Sequence, residues 1–432
     1  MHRSAGLVLL SLAFVLPLVF LTRKSVTIDE VAHIAAGYSY LRTGEVVLNP
    51  MHPPLVKELS AIPLLLLGPP MPEDAVTIRR LGHDVTYQRE FGRHILSGSD
   101  RPIIVFTARI PAVLLSLTLA ALIFAWAREL WGPAGGLVAL FLYVFDPTIT
   151  AHAQLVTTDV GFALFATLFV LLLRRYVHAP SLRTLFAAGI GLGLALGAKF
   201  SAVALAPTAL ALVGLAILHA PAGSRAARAR ALTAGLLAMS GIATLVLWAI
   251  YLFPPDPAFY VRGLASVRSD NNPSYLHYLM GDFRTGGWPH YFLVAWLVKT
   301  PVPAILAVLL AGWLFVRGRR VEWLEEAFVI VPGAALFVGY SFSADPVGIR
   351  YLIPCYPFLF VFSGRIGPWL AGLGRRGAAI AAALGIWYLA EFVAIAPDHL
   401  SYFNQIAGGP EGGLAWLDDS NVDWGQGLIQ LR

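Results

Sequence analysis

The chain has 432 residues, of which 57% are hydrophobic and 13% charged, and its mean hydropathy is +0.70. A water-soluble globular protein carries roughly 25% charged residues, so most of this chain must lie in lipid, which excludes a soluble enzyme and a disordered chain. The single cysteine, Cys355, excludes a disulfide scaffold and a cysteine-based zinc or redox motif, and the net charge of +6 indicates membrane topology rather than nucleic-acid binding.

Apolar stretches of about 20 residues are long enough to span a bilayer. Eleven stretches are predicted as transmembrane helices, at 6–21, 103–127, 134–150, 159–176, 182–198, 201–219, 231–253, 291–316, 325–342, 351–371 and 377–396. The first is interpreted as an anchor rather than a cleaved signal peptide, because no small-residue cleavage site precedes Arg23. The predicted fold is therefore all-α and polytopic.

Every second short connection between these stretches is basic. The residues concerned are Arg128, Arg174, Arg175, Arg183, Arg225, Arg228, Arg230, Arg317, Arg319, Arg320, Arg375 and Arg376. Because cytoplasmic loops are enriched in Lys and Arg, the pattern predicts a cytoplasmic N-terminus and an external C-terminus. The longer segments 22–102, 254–290 and 397–432 then lie outside, and residues 1–396 form one membrane domain.

The first external segment begins with Thr27, Asp29, Glu30 and His33. Apolar residues at helical spacing predict an amphipathic helix over 28–42 that lies on the outer membrane surface. Asp29 and His33 are four positions apart and would share one face of that helix. Thr27 and Glu30 form a capping-box pattern, so a capping role for Glu30 has the same weight as a functional one.

Two prolines follow His52 in the sequence Asn49-Pro50-Met51-His52-Pro53-Pro54-Leu55. They predict an extended turn before a second surface helix. On the pattern alone His52 fits an ordinary loop residue better than a functional residue, and both interpretations stay open.

More ionisable residues lie at predicted outer ends of spans, namely Asp159, Lys199, Lys299 and Arg350. Each has an ordinary explanation, such as a helix cap for Asp159 or snorkelling to the headgroups for Lys199. Pro301 predicts a kink or break in the helix that carries Lys299. Several such residues in one leaflet indicate an outward polar cavity, since ionisable groups at membrane depth are costly and usually functional.

The C-terminal segment combines aromatic and polar side chains in Tyr402-Phe403-Asn404 and between Asp418 and Gln426. Aromatic faces beside amides and carboxylates suit sugars, which present C–H faces and hydroxyl groups together. An external turn with an interfacial tryptophan is the alternative, of equal weight. An EF-hand is excluded because the alternating ligands and the final Glu are missing.

Taken in order, these motifs resemble the lipid-carrier-dependent glycosyltransferases of family 39. This is the protein O-mannosyltransferase superfamily with the GT-C fold, which also includes the aminoarabinose transferases that act on lipid A. The resemblance covers essentially the whole chain and rests on Asp29-Glu30, His52-Pro53-Pro54-Leu55, Asp159, Lys199, Gly287-Trp288, Lys299-Thr300-Pro301, Arg350-Tyr351 with Pro354 and Pro357, Tyr402-Phe403-Asn404, Gly408-Gly409-Pro410 and Ser420-Asn421-Val422-Asp423-Trp424-Gly425-Gln426.

The resemblance implies that a sugar, hexosyl or pentosyl, moves with inversion from a polyprenyl phosphate to a hydroxyl group. The acceptor would be a protein or a lipid at the outer face of the plasma (inner) membrane. Asp29 would be the general base, with Glu30 as the neighbour that orients the acceptor or the helix. The candidate groups for the donor phosphate are Arg350, Lys199, Lys299 and His52. The candidate substrate-binding residues are His33, Asp159, Tyr351, Asn404, Asp423, Trp424 and Gln426.

The sequence departs from the family pattern in two ways, which concern metal binding and the length of the chain. The aminoarabinose transferases carry a glutamate and a lysine where this chain has Met51 and His52, which puts their metal site in doubt here. A divalent metal therefore stays open as a cofactor, with Asp29 and Asp159 as its candidate ligands. Relatives often continue beyond the motif that ends near Arg432, so a missing C-terminal region stays open too.

An inverting displacement puts the base and the phosphate on opposite faces of the sugar. We therefore expect Asp29 and the cations to converge across one outward cavity, separated by roughly a sugar ring. A transporter or lipid flippase is the leading alternative and predicts ionisable groups through the full bilayer thickness, which the sequence does not indicate. A structural subunit and an oligosaccharyltransferase with metal-binding acids are further alternatives.

Overall fold

The computed structural model describes residues 2–270, 272, 274–318 and 322–431, and helices dominate it. Within this part of the chain, seven helices are long and apolar enough to span a bilayer, and one bent helix pair is an eighth candidate. The chain is therefore a multi-pass membrane protein, as the composition indicates. The figure of eleven spans stays a prediction, and Arg319, Arg320 and Arg432 lie outside the described residues.

The N-terminal third runs from the first membrane helix through the external segment to a long helix. Its helices are α1 (His2–Leu21), α2 (Ile28–Thr43), α3 (Leu55–Ala61), α4 (Leu64–Leu67), α5 (Ala75–Leu81), α6 (Val85–Ile95) and α7 (Arg101–Val144). α7 breaks at Gly132, whose φ of 74° and ψ of −177° are not helical. The break falls between the predicted spans 103–127 and 134–150, so α7 consists of two helices that meet at Gly132, in agreement with the two predicted spans.

The central third consists of helices followed by a short hairpin. Its elements are α8 (Pro147–His152), α9 (Thr158–His178), α10 (Leu182–Ala198), a 3-10 turn (Phe200–Ala204), α11 (Leu205–His219), α12 (Arg225–Ile250), α13 (Phe259–Asp270), β1 (Leu276–Leu279) and β2 (Asp282–Thr285). The strands pair antiparallel, with Leu276 opposite Thr285. Met280 and Gly281 connect them, and both have a positive φ, as tight hairpin turns require.

The C-terminal third contains two interrupted helices. Its elements are α14 (Tyr291–Lys299), α15 (Val302–Arg317), α16 (Trp323–Ser343), a 3-10 helix (Ile349–Cys355), α17 (Tyr356–Ser363), α18 (Ile366–Gly372), α19 (Gly374–Ile395) and α20 (Gly409–Gly412). The axes of α14 and α15 bend by 115°, as Pro301 predicts. The predicted span 351–371 consists of a 3-10 helix and two short α-helices in succession, and that it crosses the membrane stays a prediction.

The helix predicted over 28–42 forms, but it does not lie on the surface. In α2, Ile34, Ala35 and Tyr38 have no exposed surface, and the helix packs against α3 and α6. Gly37 permits the contact with α3, since a Cβ there would lie 2.0 Å from the Lys57 carbonyl oxygen. The apolar face therefore contacts other helices, so the prediction of an amphipathic surface helix is wrong for α2.

A buried ionic cluster lies at the end of the helix bundle away from Asp29. Arg174, four turns beyond Asp159 in α9, donates to Glu129 at 2.8 Å and to Glu325. Arg365 lies 3.5 Å from Glu326. Arg174 is one of the basic residues that the sequence places on this side, and its acidic partners Glu129 and Glu325 come from two other helices.

Candidate active site

An ion pair joins the start of α2 to the 3-10 helix at Ile349–Cys355. The Nη1 atom of Arg350 donates to Oδ2 of Asp29 at 2.7 Å. The Asp29 side chain keeps 27% of its surface exposed and the Arg350 side chain 16%, so water reaches both. The sequence-based expectation of a sugar-sized gap between them is therefore wrong for this structure, because opposite charges in a partly buried site attract each other into contact.

The charges around Asp29 determine its protonation state. Burial alone raises the pKa of a carboxyl group, but Arg350, and then His33 and Lys199, oppose that effect and hold the pKa of Asp29 below its ordinary value. Asp29 is therefore a carboxylate at neutral pH. In this form it can accept a proton or a hydrogen bond.

A second ion pair lies beside the first. Lys199, between α10 and the following 3-10 turn, donates to Oδ1 of Asp159 at 2.6 Å, and both residues are buried. The carboxylate of Asp159 thus binds a cation instead of capping α9, and Lys199 does not snorkel to the headgroups. The Lys199 ammonium also lies 4.7 Å from the ring centre of Tyr351, a cation–π distance.

The C-terminal segment reaches this site through Trp424. The guanidinium of Arg350 stacks over the Trp424 ring at 4.1 Å, and Trp424 is buried. The aromatic face keeps Arg350 in one orientation without taking up its hydrogen-bond donors. Arg350 therefore contacts Asp29 with one nitrogen and retains donors for a further acceptor.

His33, one helical turn after Asp29, contacts a second histidine, His52. The rings of His33 and His52 meet edge to face with centroids 5.2 Å apart. Nδ1 of His33 donates to the Val156 carbonyl at 2.9 Å, which leaves Nε2 as an acceptor when the ring is neutral. Burial lowers the pKa of both rings, that of His52 most strongly, so both are neutral at pH 7. His52 is then a neutral hydrogen-bonding group, and its role at the donor phosphate stays a prediction.

Glu30 has a structural position that fits the capping-box interpretation. Both of its oxygens accept from Arg109, at 2.8 and 2.7 Å, and the two side chains have no exposed surface. One oxygen also accepts from the amide of Thr27 and the other from the amide of Val156, each at 3.0 Å. All its acceptor positions are thus occupied, and Glu30 ties the first turn of α2 to α7.

Arg109 was missed in the sequence. The signal was present, because an arginine inside the predicted span 103–127 is the kind of residue that lies at membrane depth only with a partner. His152 was missed too, since it follows the span predicted to end at 150. Its Nδ1 donates to the Thr148 carbonyl at 2.8 Å, and its ring lies 6.1 Å from that of Trp424.

Lys299 and Asn404, predicted to bind substrate, instead hold the break between α14 and α15. The Lys299 ammonium donates to the carbonyls of Leu400 and Asn421 at 2.7 and 2.6 Å. The Asn404 amide donates to the carbonyls of Leu297 and Thr300. The bonds of Asn404 satisfy carbonyls that the interrupted membrane helix leaves free, and those of Lys299 join the end of α14 to the C-terminal segment.

Two other predicted substrate-binding residues make local contacts. Oε1 of Gln426 accepts from the Trp424 amide at 2.6 Å, and Asp423 accepts from the Gly425 amide at 2.9 Å. Gln426 is buried and Asp423 is exposed. They shape the turn that presents Trp424, and the structure places neither in contact with Arg350 or Asp29.

The carboxylates of Asp29 and Asp159 do not form a recognisable metal site. Among the described residues there is no group of three or more His, Cys, Asp or Glu side chains placed to hold an ion. Asp29 and Asp159, the candidate ligands, each bind a cationic side chain. These residues therefore do not fit a divalent metal in the arrangement seen.

Residues 104–248 match the family model of the dolichyl-phosphate-mannose-protein mannosyltransferases. No curated protein matches the chain in sequence. Solved structures that are similar in fold include the following two. ArnT from Cupriavidus metallidurans bound to undecaprenyl phosphate is 16% identical with a TM-score of 0.58, over 91% of this chain and 70% of that one.

The second is the oligosaccharyltransferase AglB from Archaeoglobus fulgidus in complex with an inhibitory peptide and a dolichol-phosphate. It is 13% identical with a TM-score of 0.53, over 91% of this chain and 54% of that one. This chain therefore spans about half the length of that oligosaccharyltransferase. The two structures are similar to this chain in fold, and the family model agrees with the resemblance over residues 104–248.

Proposed function

We propose that this chain, which is similar in fold to the GT-C glycosyltransferases, transfers a sugar from a polyprenyl phosphate to a hydroxyl acceptor with inversion. The observation that carries the proposal is the contact between Asp29 and Arg350. It puts a carboxylate and a phosphate-binding type of cation at the same partly exposed point, beside the second pair, Lys199 and Asp159.

Asp29 is the general base of this proposal. As the acceptor oxygen bonds to the anomeric carbon, its proton passes to the Asp29 carboxylate, and the bond from that carbon to the phosphate oxygen breaks with its electron pair. A carboxylate paired with arginine is a weak base. When a phosphate binds Arg350, the ion pair is relieved and the basicity of Asp29 rises, which couples donor binding to activation of the acceptor.

Arg350 is the primary phosphate ligand, since its planar guanidinium can bind two phosphate oxygens at once and Trp424 holds it in place. Lys199 supports it as a second positive charge nearby. The leaving group is already a phosphate, so it needs neutralisation of charge rather than a general acid. Lys299 has no part in this step, because its donors bind backbone carbonyls.

Three neutral or structural groups position the base. His33 and His52 present hydrogen-bonding nitrogens beside Asp29, and Glu30 fixes the turn of α2 through Arg109. Tyr351 provides an aromatic face for the sugar, and Trp424 stays buried beneath Arg350. We place this site at the outer face of the plasma membrane, with the N-terminus in the cytoplasm, on the basis of the arginine pattern.

The test is incubation of the purified protein with a panel of polyprenyl-phosphate sugars and hydroxyl acceptors, with and without a chelator. We expect release of polyprenyl phosphate for one donor class, with equal rates in the two conditions. Release that stops with the chelator would overturn the metal-free mechanism. No release from any donor, by a protein shown to be folded, would overturn the enzyme assignment.

The transporter alternative has one observation in its favour, the buried cluster of Arg174 and Glu325 at the opposite end of the bundle. The same donor panel in sealed vesicles separates the two functions. A transporter moves the labelled lipid between leaflets without cleaving it, whereas the proposed enzyme cleaves the bond between sugar and phosphate.

A further inference from the structure

A pocket of about 630 Å³ lies between α1 and α7 at the end of the helix bundle that is far from Asp29. α1 has 20 residues, so at about 1.5 Å per residue its first turn lies ~30 Å from its last, roughly the thickness of the hydrocarbon core. His2 and Arg3 in that first turn therefore lie at the level of the headgroups in the opposite leaflet.

Glycines give this pocket its shape. A Cβ on Gly6 would lie 3.0 Å from the Phe124 ring, so the missing side chain lets the ring lie against α1. The break at Gly132 turns the chain so that Gly136 faces Arg128, where a Cβ would come within 2.8 Å of the Arg128 Cβ. α1 and the two halves of α7 come close enough to enclose one pocket because a glycine, which has no side chain, lies at each contact.

The upper rim of the pocket is cationic. His2, Arg3 and Arg128 line it, and within the described residues none of them has a hydrogen bond or an ion pair. The nearest acid in the sequence, Glu129, accepts instead from Arg174 at 2.8 Å. The arginines therefore present guanidinium groups with free donors to whatever enters the pocket.

The lower wall is apolar. Leu7, Leu10 and Phe124 line it, and 66% of the Leu7 surface is exposed. Cationic groups above an apolar wall, at headgroup level, match a molecule with a phosphate joined to acyl chains. A free phosphate would bind the arginines of the rim but would leave the apolar wall uncovered.

We propose that this pocket binds one anionic phospholipid of the leaflet opposite to the candidate active site. Arg3 and Arg128 hold the phosphate between α1 and α7, with His2 beside them, and the acyl chains lie along Leu7, Leu10 and Phe124. The bound lipid bridges the two helices at the level where α7 breaks. This inference is independent of the glycosyltransferase activity.

The test is native mass spectrometry of the purified full chain titrated with phosphatidylglycerol or with phosphatidylcholine. The variant Arg3→Gln/Arg128→Gln removes the rim. The matched control Arg375→Gln/Arg376→Gln removes two exposed arginines at the start of α19, outside the pocket. We expect one site that prefers phosphatidylglycerol. Its affinity should fall about 10- to 30-fold in the rim variant, because two basic residues that each strengthen lipid binding are removed. The control variant should bind with unchanged affinity.

Equal loss in both double variants would overturn the proposal, because it would indicate a diffuse positive surface. Wild-type affinity in the rim variant, or equal binding of the two lipids, would overturn it as well. Displacement of the lipid by millimolar inorganic phosphate would assign the site to free phosphate instead. If the rim variant fails to fold, a photoreactive phosphatidylglycerol applied to the wild-type protein must crosslink to residues 2–10 or 124–133, and crosslinks elsewhere contradict the assignment.

Discussion

Two adjacent acids at the start of α2 have opposite environments. Asp29 is partly exposed and binds one nitrogen of Arg350, whereas Glu30 is fully buried and accepts five hydrogen bonds. Helical geometry explains the difference, since neighbouring residues point about 100° apart and one faces the cavity while the other faces α7. The Asp29–Arg350 contact is therefore available to a substrate, and the Glu30–Arg109 pair is not.

Replacing Glu30 by Gln should lower stability by about 3–5 kcal/mol, because it leaves the Arg109 charge buried without a counter-charge. Burial raises the pKa of Glu30 but Arg109 lowers it further, to below the ordinary 4.5. The stabilisation is therefore present above pH 4.5 and lost as the pH falls through the lowered value. Thermal unfolding measures both effects, with Glu45→Gln in the exposed pair with Arg79 as the control. Equal unfolding temperatures for the two variants would contradict this role.

The pKa of Asp29 predicts the acid limb of the rate profile. Because Arg350 holds that pKa below 3.8, protonation of Asp29 should not lower kcat/KM between neutral pH and about pH 4. In Arg350→Gln the arginine no longer opposes the effect of burial, so the pKa of Asp29 rises. The acid limb should therefore move up by about 1–3 pH units. The measurement is kcat/KM against pH for both proteins. An unmoved limb in the variant would mean that Asp29 is not the titrating base.

The sequence predicts residue types better than residue partners. Asp29 and His33 were placed on one face by spacing alone, and both lie at the site. Lys299 and Asn404 were misassigned because their partners lie about 100 residues away in the chain, where no local pattern reveals them. A lysine that binds carbonyls and a lysine that binds phosphate have the same sequence signature.

At the scale of elements, interruptions of helices place the polar groups. Pro301 ends α14 just after Lys299, and Gly132 divides α7 where the lipid-sized pocket opens. The proline break was predicted, since proline removes a donor and clashes with the preceding turn. The break at Gly132 falls where the predicted spans 103–127 and 134–150 separate. The short helices within 351–371 were not predicted, because hydropathy reports depth in the membrane and not backbone continuity.

Gly132→Ala should destabilise the protein by about 1–3 kcal/mol, because its backbone conformation is one that glycine adopts almost exclusively. No atom lies within 4 Å of the position of a Cβ there, so the effect is conformational and not steric. Gly312 in α15 is equally open but lies in a regular helix, so Gly312→Ala should leave stability unchanged or raise it by up to about 1 kcal/mol. Thermal unfolding of the pair measures this, and equal shifts would contradict the strain at the break.

For the whole molecule, charged residues divide between the two ends of the bundle. The pairs of Asp29 and Asp159 lie at one end, and Arg174, Glu325 and Arg128 lie at the other. The positions of the arginines predicted which loops between helices lie on the same side of the membrane. The ion pairs at each end of the bundle agree with that prediction. The segment from 397 onward contributes Trp424 to the site, so it acts as part of the membrane domain despite its separate position in the sequence.

Cysteine labelling tests the proposed sidedness. Cys355, the one native cysteine, is buried, so the background should be low. In right-side-out vesicles a membrane-impermeant maleimide should label Ser99→Cys directly and Ser224→Cys only after permeabilisation, since both positions are exposed and lie at opposite ends. The reverse pattern would invert the topology and put Asp29 in the cytoplasm.

The most direct test of the central claim compares sugar transfer and donor binding in Asp29→Asn and the wild-type protein. The substitution keeps the size of the side chain and removes its charge and basicity. We expect transfer to fall by at least about 100-fold, with donor binding retained or tightened because Arg350 loses its competing carboxylate. Asp74→Asn, at the N-cap of α5, is the control and should retain full transfer. Transfer by Asp29→Asn at the wild-type rate would contradict the assignment of Asp29 as the base.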